Sequence, residues 1–254
     1  MRLREAQWRR YYRIPSKLPT MHARFTASET WQEQRQVLDM DLSRMPPMRK
    51  DNVTKIILRF AATAPYAGYT QGNLYLVYAL GLVFSDERSI FWAFAHTVQR
   101  LHRYGPTTPY GTRIVPDWVI SHAPELDRDL WDIIIRFRWL YVMFGQTMTD
   151  GLLDVWDYCL KGETHMFSLC AALLMRGSLL DSSSCESNLE RANLIIGSTI
   201  DSEEEVAQLI SQAQLLLQCA GRSPTSTALS PRRLSRARRR RAHGLTATAV
   251  LSTS

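Results

Sequence analysis

Apolar residues in this chain recur at helical spacing along most of its length. Val53, Ile56, Ile57, Phe60, Ala61 and Ala64 fall at i, i+3, i+4 and i+7, one stripe of a helix. From Gln71 to Phe84 the chain is apolar on most sides, as a helix buried in the middle of a bundle would be. The period resumes from Ile90 to Leu101, after the turn-forming pair Ser85-Asp86.

A Gly/Pro/Thr-rich break follows at Tyr104 to Pro116, where Gly105-Pro106 and Thr108-Pro109 favour extended backbone. Pro124 is placed to open a new helix, and Leu126, Leu130, Ile133, Ile134, Phe137 and Tyr141 carry the period onward. Further helices are predicted over Thr149–Leu160, Thr164–Arg176 and Ser187–Ile196. The last helix is the best marked. Ser202 followed by Glu205 has capping-box spacing, and Glu203–Glu205 put negative charge at the positive end of the helix dipole. Val206, Leu209, Ile210, Ala213, Leu216 and Leu217 give its apolar face. No run alternates as a strand would, so the body is predicted to be all-α.

Composition alters this picture at one end. The net charge of +7 is not spread over the molecule, because residues 221–254 hold eight arginines and no lysine or acid. Residues 1–220 therefore carry −1, and a near-neutral body argues against a domain built to hold nucleic acid. The tail lacks apolar periodicity and cannot bury enough surface to offset its ordering entropy, so disorder is expected there.

Cys159, Cys170, Cys185 and Cys219 form no CxxC pair, and the six histidines do not join them at zinc spacing. Two of these thiols fall within apolar helical patterns, where a free buried cysteine in a reducing compartment is the simple reading. The N-terminal MRLREAQWRR is too polar for a secretory signal. The longest apolar run, Leu74 to Phe84, is well short of the ~20 residues that span a bilayer. A soluble, intracellular protein is expected.

Two polar signals interrupt the helical pattern. One is Leu38-Asp39-Met40-Asp41-Leu42-Ser43-Arg44, with Pro46 and Pro47 behind it. The other is Gly68-Tyr69-Thr70-Gln71-Gly72, where one helix ends and the most buried one begins. Each has a plain structural reading. Asp41 and Arg44 are spaced as an exposed helical ion pair, Gly68 and Gly72 as turn residues, and Gln71 as a polar helix start.

Their order and company point elsewhere. Leu38-x-x-Asp41-x-x-Arg44 followed by Tyr69-x-Gln71-Gly72 resembles the paired signature of the TBC-domain family, the Rab GTPase-activating proteins. Glu87 to Phe94 is similar to that family's E-x-x-x-FWxF element. Trp139 to Gly162, with Trp156-Asp157, is similar to its later W…F…WD…G stretch, and Ser202–Leu217 to its leucine-rich closing helix. The resemblance divides the chain into a degenerate N-terminal segment at 1–30, a TBC-like domain at 31–218 and an Arg/Ser-rich tail at 219–254.

What the resemblance implies is a dual-finger mechanism. Hydrolysis of GTP is limited by charge developing on the transferring phosphoryl group and by placement of the attacking water. Arg44 matches the family's arginine finger, whose planar, always-charged guanidinium bridges phosphate oxygens as lysine cannot. Gln71 matches the glutamine finger, an amide that donates and accepts at once and orients the water in place of the GTPase's own glutamine. Asp41 is expected to hold Arg44 in place, and Tyr69 and Gly72 to shape the turn that presents Gln71. The partner is a Rab-family small GTPase. GTP and Mg²⁺ are bound by that partner, so the protein has no cofactor or metal of its own and activates without a turnover of its own.

The match has departures. Gln71 follows Arg44 by only 27 residues, Asn73 stands where the family usually has Met, and Met45 where it has Thr. The N-terminal RxxxW element is retained as Arg4-x-x-x-Trp8, without the apolar run that usually follows. A second reading keeps the fold and drops the activity, leaving a module that binds a GTPase or scaffolds partners. A third makes this a nucleic-acid-binding protein working through its tail, by way of Arg236 and Arg238–Arg241, a run that also suits an anionic membrane surface or a nuclear import receptor. Without interleaved aromatic residues for base stacking, that run offers no specific nucleic-acid recognition. The resemblance places the protein in the cytoplasm and in vesicle trafficking, on endomembranes or in the nucleus where the tail directs it.

Overall fold

The computed structural model describes residues 2–17, 36, 38–40, 42–43, 54, 56–57, 70, 72–105, 108–109, 111–148, 150–180, 183 and 185–220. These are all-α. The helices are α1 (Arg2–Tyr11), α2 (Asn73–Val83), α3 (Glu87–Leu101), α4 (Asp117–Ile120), α5 (Arg128–Ile135), α6 (Leu152–Cys159), α7 (Glu163–Ser178), α8 (Asn188–Gly197) and α9 (Glu203–Ala220). Short 3-10 and π-helical turns extend α3 and α5 at His102–Tyr104 and Arg136–Leu140. Among the described residues the one β-bridge joins Met148 to Ile200. No described helix is long and apolar enough to cross a membrane.

The chain divides into Met1–Leu217 and Gln218–Ser254, and of the second unit only residues 218–220, the last turn of α9, are described. The expected disordered tail and most of the Val53–Ala64 helix lie outside the described residues; Ile56 and Ile57 of that stripe are helical and buried.

The central helix is α2, whose Leu74, Leu76, Val77, Ala79, Leu80 and Val83 are all buried. α3 packs along it after a sharp turn, with Asp86 as N-cap accepting a hydrogen bond from Ser89 N at 2.8 Å. Both follow from the apolar run and the Ser85-Asp86 break. Cys159 and Cys170 are free and buried in α6 and α7, and burial pushes both thiols well up, leaving them inert.

Two local expectations change. The helix predicted from Pro124 begins instead at Arg128, because the Asp127 carboxylate accepts from Asp129 N and Leu130 N at 2.9 and 3.0 Å and fixes the start there. The Ser202 hydroxyl accepts from Glu205 N at 3.2 Å, but the Glu205 carboxylate lies 3.6 Å from Arg176 and caps nothing in return. The complete reciprocal capping box is at Ser187 and Glu190, opening α8.

α1 is held by a clamp of aromatic rings and charges. Trp8 stacks on Trp156 of α6 with centroids 5.5 Å apart and meets Tyr12 and Phe84 edge-on. Its Nε1 donates to Asp157 Oδ1 at 2.5 Å, Arg4 Nε donates to Asp157 Oδ2 at 2.8 Å, and Arg4 also pairs with Asp154. Arg4 and Trp8 of α1 thus form one cluster with Trp156 and Asp157 of α6.

Candidate functional site

Thr70, Gly72 and Asn73 stand at the opening of the central helix, and the geometry there is set by a glycine. Gly72 caps α2 with φ +103°, a backbone state that side chains rarely adopt. A Cβ there would stand 2.5 Å from Val142 Cγ1, so the close approach as well as the dihedral requires glycine. The turn closes through Asn73 N donating to Thr70 O at 3.0 Å and Tyr75 N donating to Gly72 O at 3.1 Å.

The bed beneath this turn is the irregular segment that follows α5. At Arg136–Leu140 the helix widens to a π turn, with Tyr141 N donating to Arg136 O at 2.7 Å and Phe144 N to Trp139 O at 2.8 Å. Met143 and Phe144 then adopt φ +46° and +62°, left-handed conformations that cost about 1–2 kcal/mol each for residues with a Cβ. Trp156 Nε1 holds the Met143 carbonyl at 3.1 Å. Strain of this kind persists only where surrounding packing enforces it, and it recurs at functional sites.

Tyr141 connects bed and turn. It is buried, its hydroxyl donates to Asn73 Oδ1 at 3.4 Å and also hydrogen-bonds the Thr70 side chain. Burial raises its pKa against the lowering effect of the Thr70 bond, so the phenol stays protonated and able to donate. Asn73, one of the departures from the family pattern, is itself buried and is served by this hydroxyl. On the other side the Tyr141 ring covers Gly105, the first residue after the 3-10 turn. Gly145 lets the bed approach α2, since a Cβ there would meet Tyr75 Cβ at 2.7 Å.

A buried ion pair ties the adjacent loop to the same bed. Asp132 and Arg136 are almost wholly enclosed and pair at 2.9 Å through Nε and Oδ2. Asp132 Oδ1 also accepts from Ile114 N and Val115 N at 2.8 and 2.6 Å. The Gly/Pro/Thr-rich break is thereby fastened at its far end to α5. Arg136 Nη1 and Trp139 Nε1 are buried without a hydrogen-bond partner among the described residues, which makes this a costly stretch of core.

The first polar signal is anchored by its apolar positions. Leu38 and Leu42, one helical turn apart, are both buried, while Asp39 and Met40 are exposed and Ser43 Oγ donates to Met40 O at 2.7 Å. Asp41, Arg44, Tyr69 and Gln71 lie outside the described residues, so Gly72 is the one candidate residue with a described environment. Sequence reasoning named Tyr141 only as an apolar helix position, and did not single out Val142 or the left-handed pair Met143-Phe144. A polar Asn73 at the head of an apolar helix was the available signal for Tyr141; the dihedrals of Met143 and Phe144 leave none.

The Rab-GTPase-TBC domain model matches residues 7–179, from the middle of α1 to the end of α7, a range that holds the clamp apart from Arg4, the turn, the bed and both polar signals. Comparison with curated proteins gives no match. Spanning well over half of the chain, the family match joins an all-α body to the ordered pair of polar motifs, and on these findings the chain belongs to the Rab-GTPase-TBC domain family.

Proposed function

We propose that this protein accelerates GTP hydrolysis by a Rab-family small GTPase, supplying Arg44 and Gln71 in trans. The observation that carries this reading is the Gly72 turn. The residue following Gln71 in sequence is a buried glycine in a conformation that favours glycine, seated on a strained bed and braced by the Tyr141 hydroxyl. Preorganised support of this kind is what a group that orients a water requires.

In this reading Arg44 neutralises charge on the transferring phosphoryl oxygens, and an arginine supplied in trans contributes on the order of 10³–10⁵ in rate. Gln71 donates to the γ-phosphate and accepts from the attacking water. Asp41 holds Arg44, and Tyr69 flanks the presented amide. GTP and Mg²⁺ remain the partner's. Action on a Rab puts the protein in vesicle trafficking at the cytoplasmic face of endomembranes, with the tail arginines as a further contact to anionic lipid or to nuclear import.

The competing reading, a module that binds a GTPase without activating it, draws on the short interval of 27 residues between Arg44 and Gln71. Single-turnover GTP hydrolysis across a panel of Rab proteins separates the two. Acceleration of at least one Rab, lost in both Arg44→Ala and Gln71→Ala, is the expected result. Binding of a Rab with no acceleration anywhere in the panel would favour the competing reading.

A further inference from the structure

A second surface, remote from the turn, has a construction of its own. α1 ends in a Schellman motif, with Ile14 N donating to Arg9 O at 2.9 Å and Arg13 N to Arg10 O at 3.2 Å. The left-handed position of that motif normally belongs to glycine, yet here it holds Arg13 at φ +50°. The chain keeps a long cationic side chain at a site where glycine would be more stable, and the residue is exposed.

What surrounds Arg13 gives that side chain a purpose. The preceding carbonyl, Tyr12 O, accepts from Trp92 Nε1 at 3.2 Å, which fixes the half-exposed indole of α3 beside the end of α1. His96, one turn further along α3, is exposed and sits against the Tyr12 ring at 5.7 Å. Burial first, then the nearby Arg100 and Arg13, lower the pKa of His96. Arg10 is exposed one turn before Arg13. The neighbouring acids Glu5 and Asp86 are both engaged by Arg9, at 2.9 and 2.8 Å. On the outward face of α1 that carries Arg10, Leu3 stands 88% exposed.

We propose that the face formed by the end of α1 and the adjoining part of α3, which carries Arg10, Arg13, Trp92 and His96, docks on an anionic lipid bilayer. An indole with its N–H satisfied and its ring half in solvent suits the headgroup level of a membrane, where tryptophan is enriched. Arginines near such a surface, here Arg10 and Arg13, each strengthen attachment about five-fold. The surface is built from residues of two helices, α1 and α3. It is also away from the candidate finger turn. Nine residues of helix, roughly 14 Å at 1.5 Å per residue, separate Trp92 from Leu101, and the turn packs beyond that end through Tyr141 and Gly105.

The test uses the full chain, tail included, with vesicles of equal parts phosphatidylserine and phosphatidylcholine against pure phosphatidylcholine. Arg13→Gly is expected to raise Tm by a few degrees, because it relieves the left-handed strain, while weakening binding to the anionic vesicles about five-fold. Adding Arg10→Gln is expected to bring the loss to about 25-fold. Lys161→Gln removes the same single charge elsewhere and is expected to leave binding nearly unchanged. Brominated lipid is expected to quench tryptophan fluorescence in the wild type, and less so in Trp92→Phe. Unchanged vesicle binding in the Arg10→Gln, Arg13→Gly double variant would overturn the proposal. So would an equal loss in Lys161→Gln, or a polyglutamate peptide whose binding these variants weaken while vesicle binding stays intact.

Discussion

The clamp around Trp8 and the bed under residues 70–73 share a link, since Trp156 stacks on Trp8 and also holds the Met143 carbonyl. They are built on opposite principles. In the clamp, Arg4, the Trp8 N–H and both oxygens of Asp157 all have partners, and the rings meet in ordinary stacked and edge-on geometries. In the bed, two residues with side chains take left-handed backbone, a π turn replaces regular helix, and buried nitrogens of Arg136 and Trp139 have no partner among the described residues. A region that only stabilises the fold can relax into satisfied contacts. The bed is held away from that state, and its cost is borne by relaxed regions such as the clamp.

The comparison can be broken at either end. The largest effect on stability is expected in the clamp. Trp8→Ala deletes a fully buried indole and leaves Asp157 short of a donor, which should cost about 3–5 kcal/mol. Thermal melting should show this as a fall of roughly 10 °C for a body of this size. Rate acceleration per folded molecule should be unchanged. In the bed the balance reverses. Gly72→Ala meets both the φ barrier and Val142, costing about 2–3 kcal/mol in melting experiments. Its single-turnover acceleration should fall by at least roughly a hundredfold, more than folding accounts for, because small misplacements of a reacting group are that expensive.

The finest distinction comes from Tyr141→Phe, which keeps the ring over Gly105 and removes only the hydroxyl bonds to Asn73 and Thr70. Stability should change by no more than about 1 kcal/mol. The maximal single-turnover rate should drop several-fold with the affinity for the GTPase unchanged. A loss of affinity at constant rate would instead make Tyr141 part of the partner-binding surface.

How much of this was legible follows from which interactions have a sequence period. α2, α3 and α6–α9 announced themselves through apolar spacing, and Ser85-Asp86 through turn chemistry. The stretch after Pro124 misled because its inward face carries Asp132 and Arg136 alongside Trp131, Ile135, Trp139 and Leu140. A buried ion pair looks like a solvent face, so the period settled on Leu130, Ile133, Ile134 and Phe137, which are only half-buried. The π turn then shifted the register once more. Gly72 was visible as a motif residue, but its need for glycine depends on Val142, seventy residues later, which spacing does not reveal. Trp8 was legible as a lone motif residue; its partners Trp156 and Asp157 were found as another motif, and only the fold joins the two.

The most direct measurement of the central claim uses a Rab that this protein activates, with that GTPase's own catalytic glutamine replaced by alanine. If Gln71 orients the attacking water in trans, the wild-type protein should still accelerate single-turnover hydrolysis by this variant, and Gln71→Ala should fail to. Loss of acceleration with the wild-type protein, while binding of the Rab variant persists, would contradict the account and leave Gln71 as a structural residue of its turn.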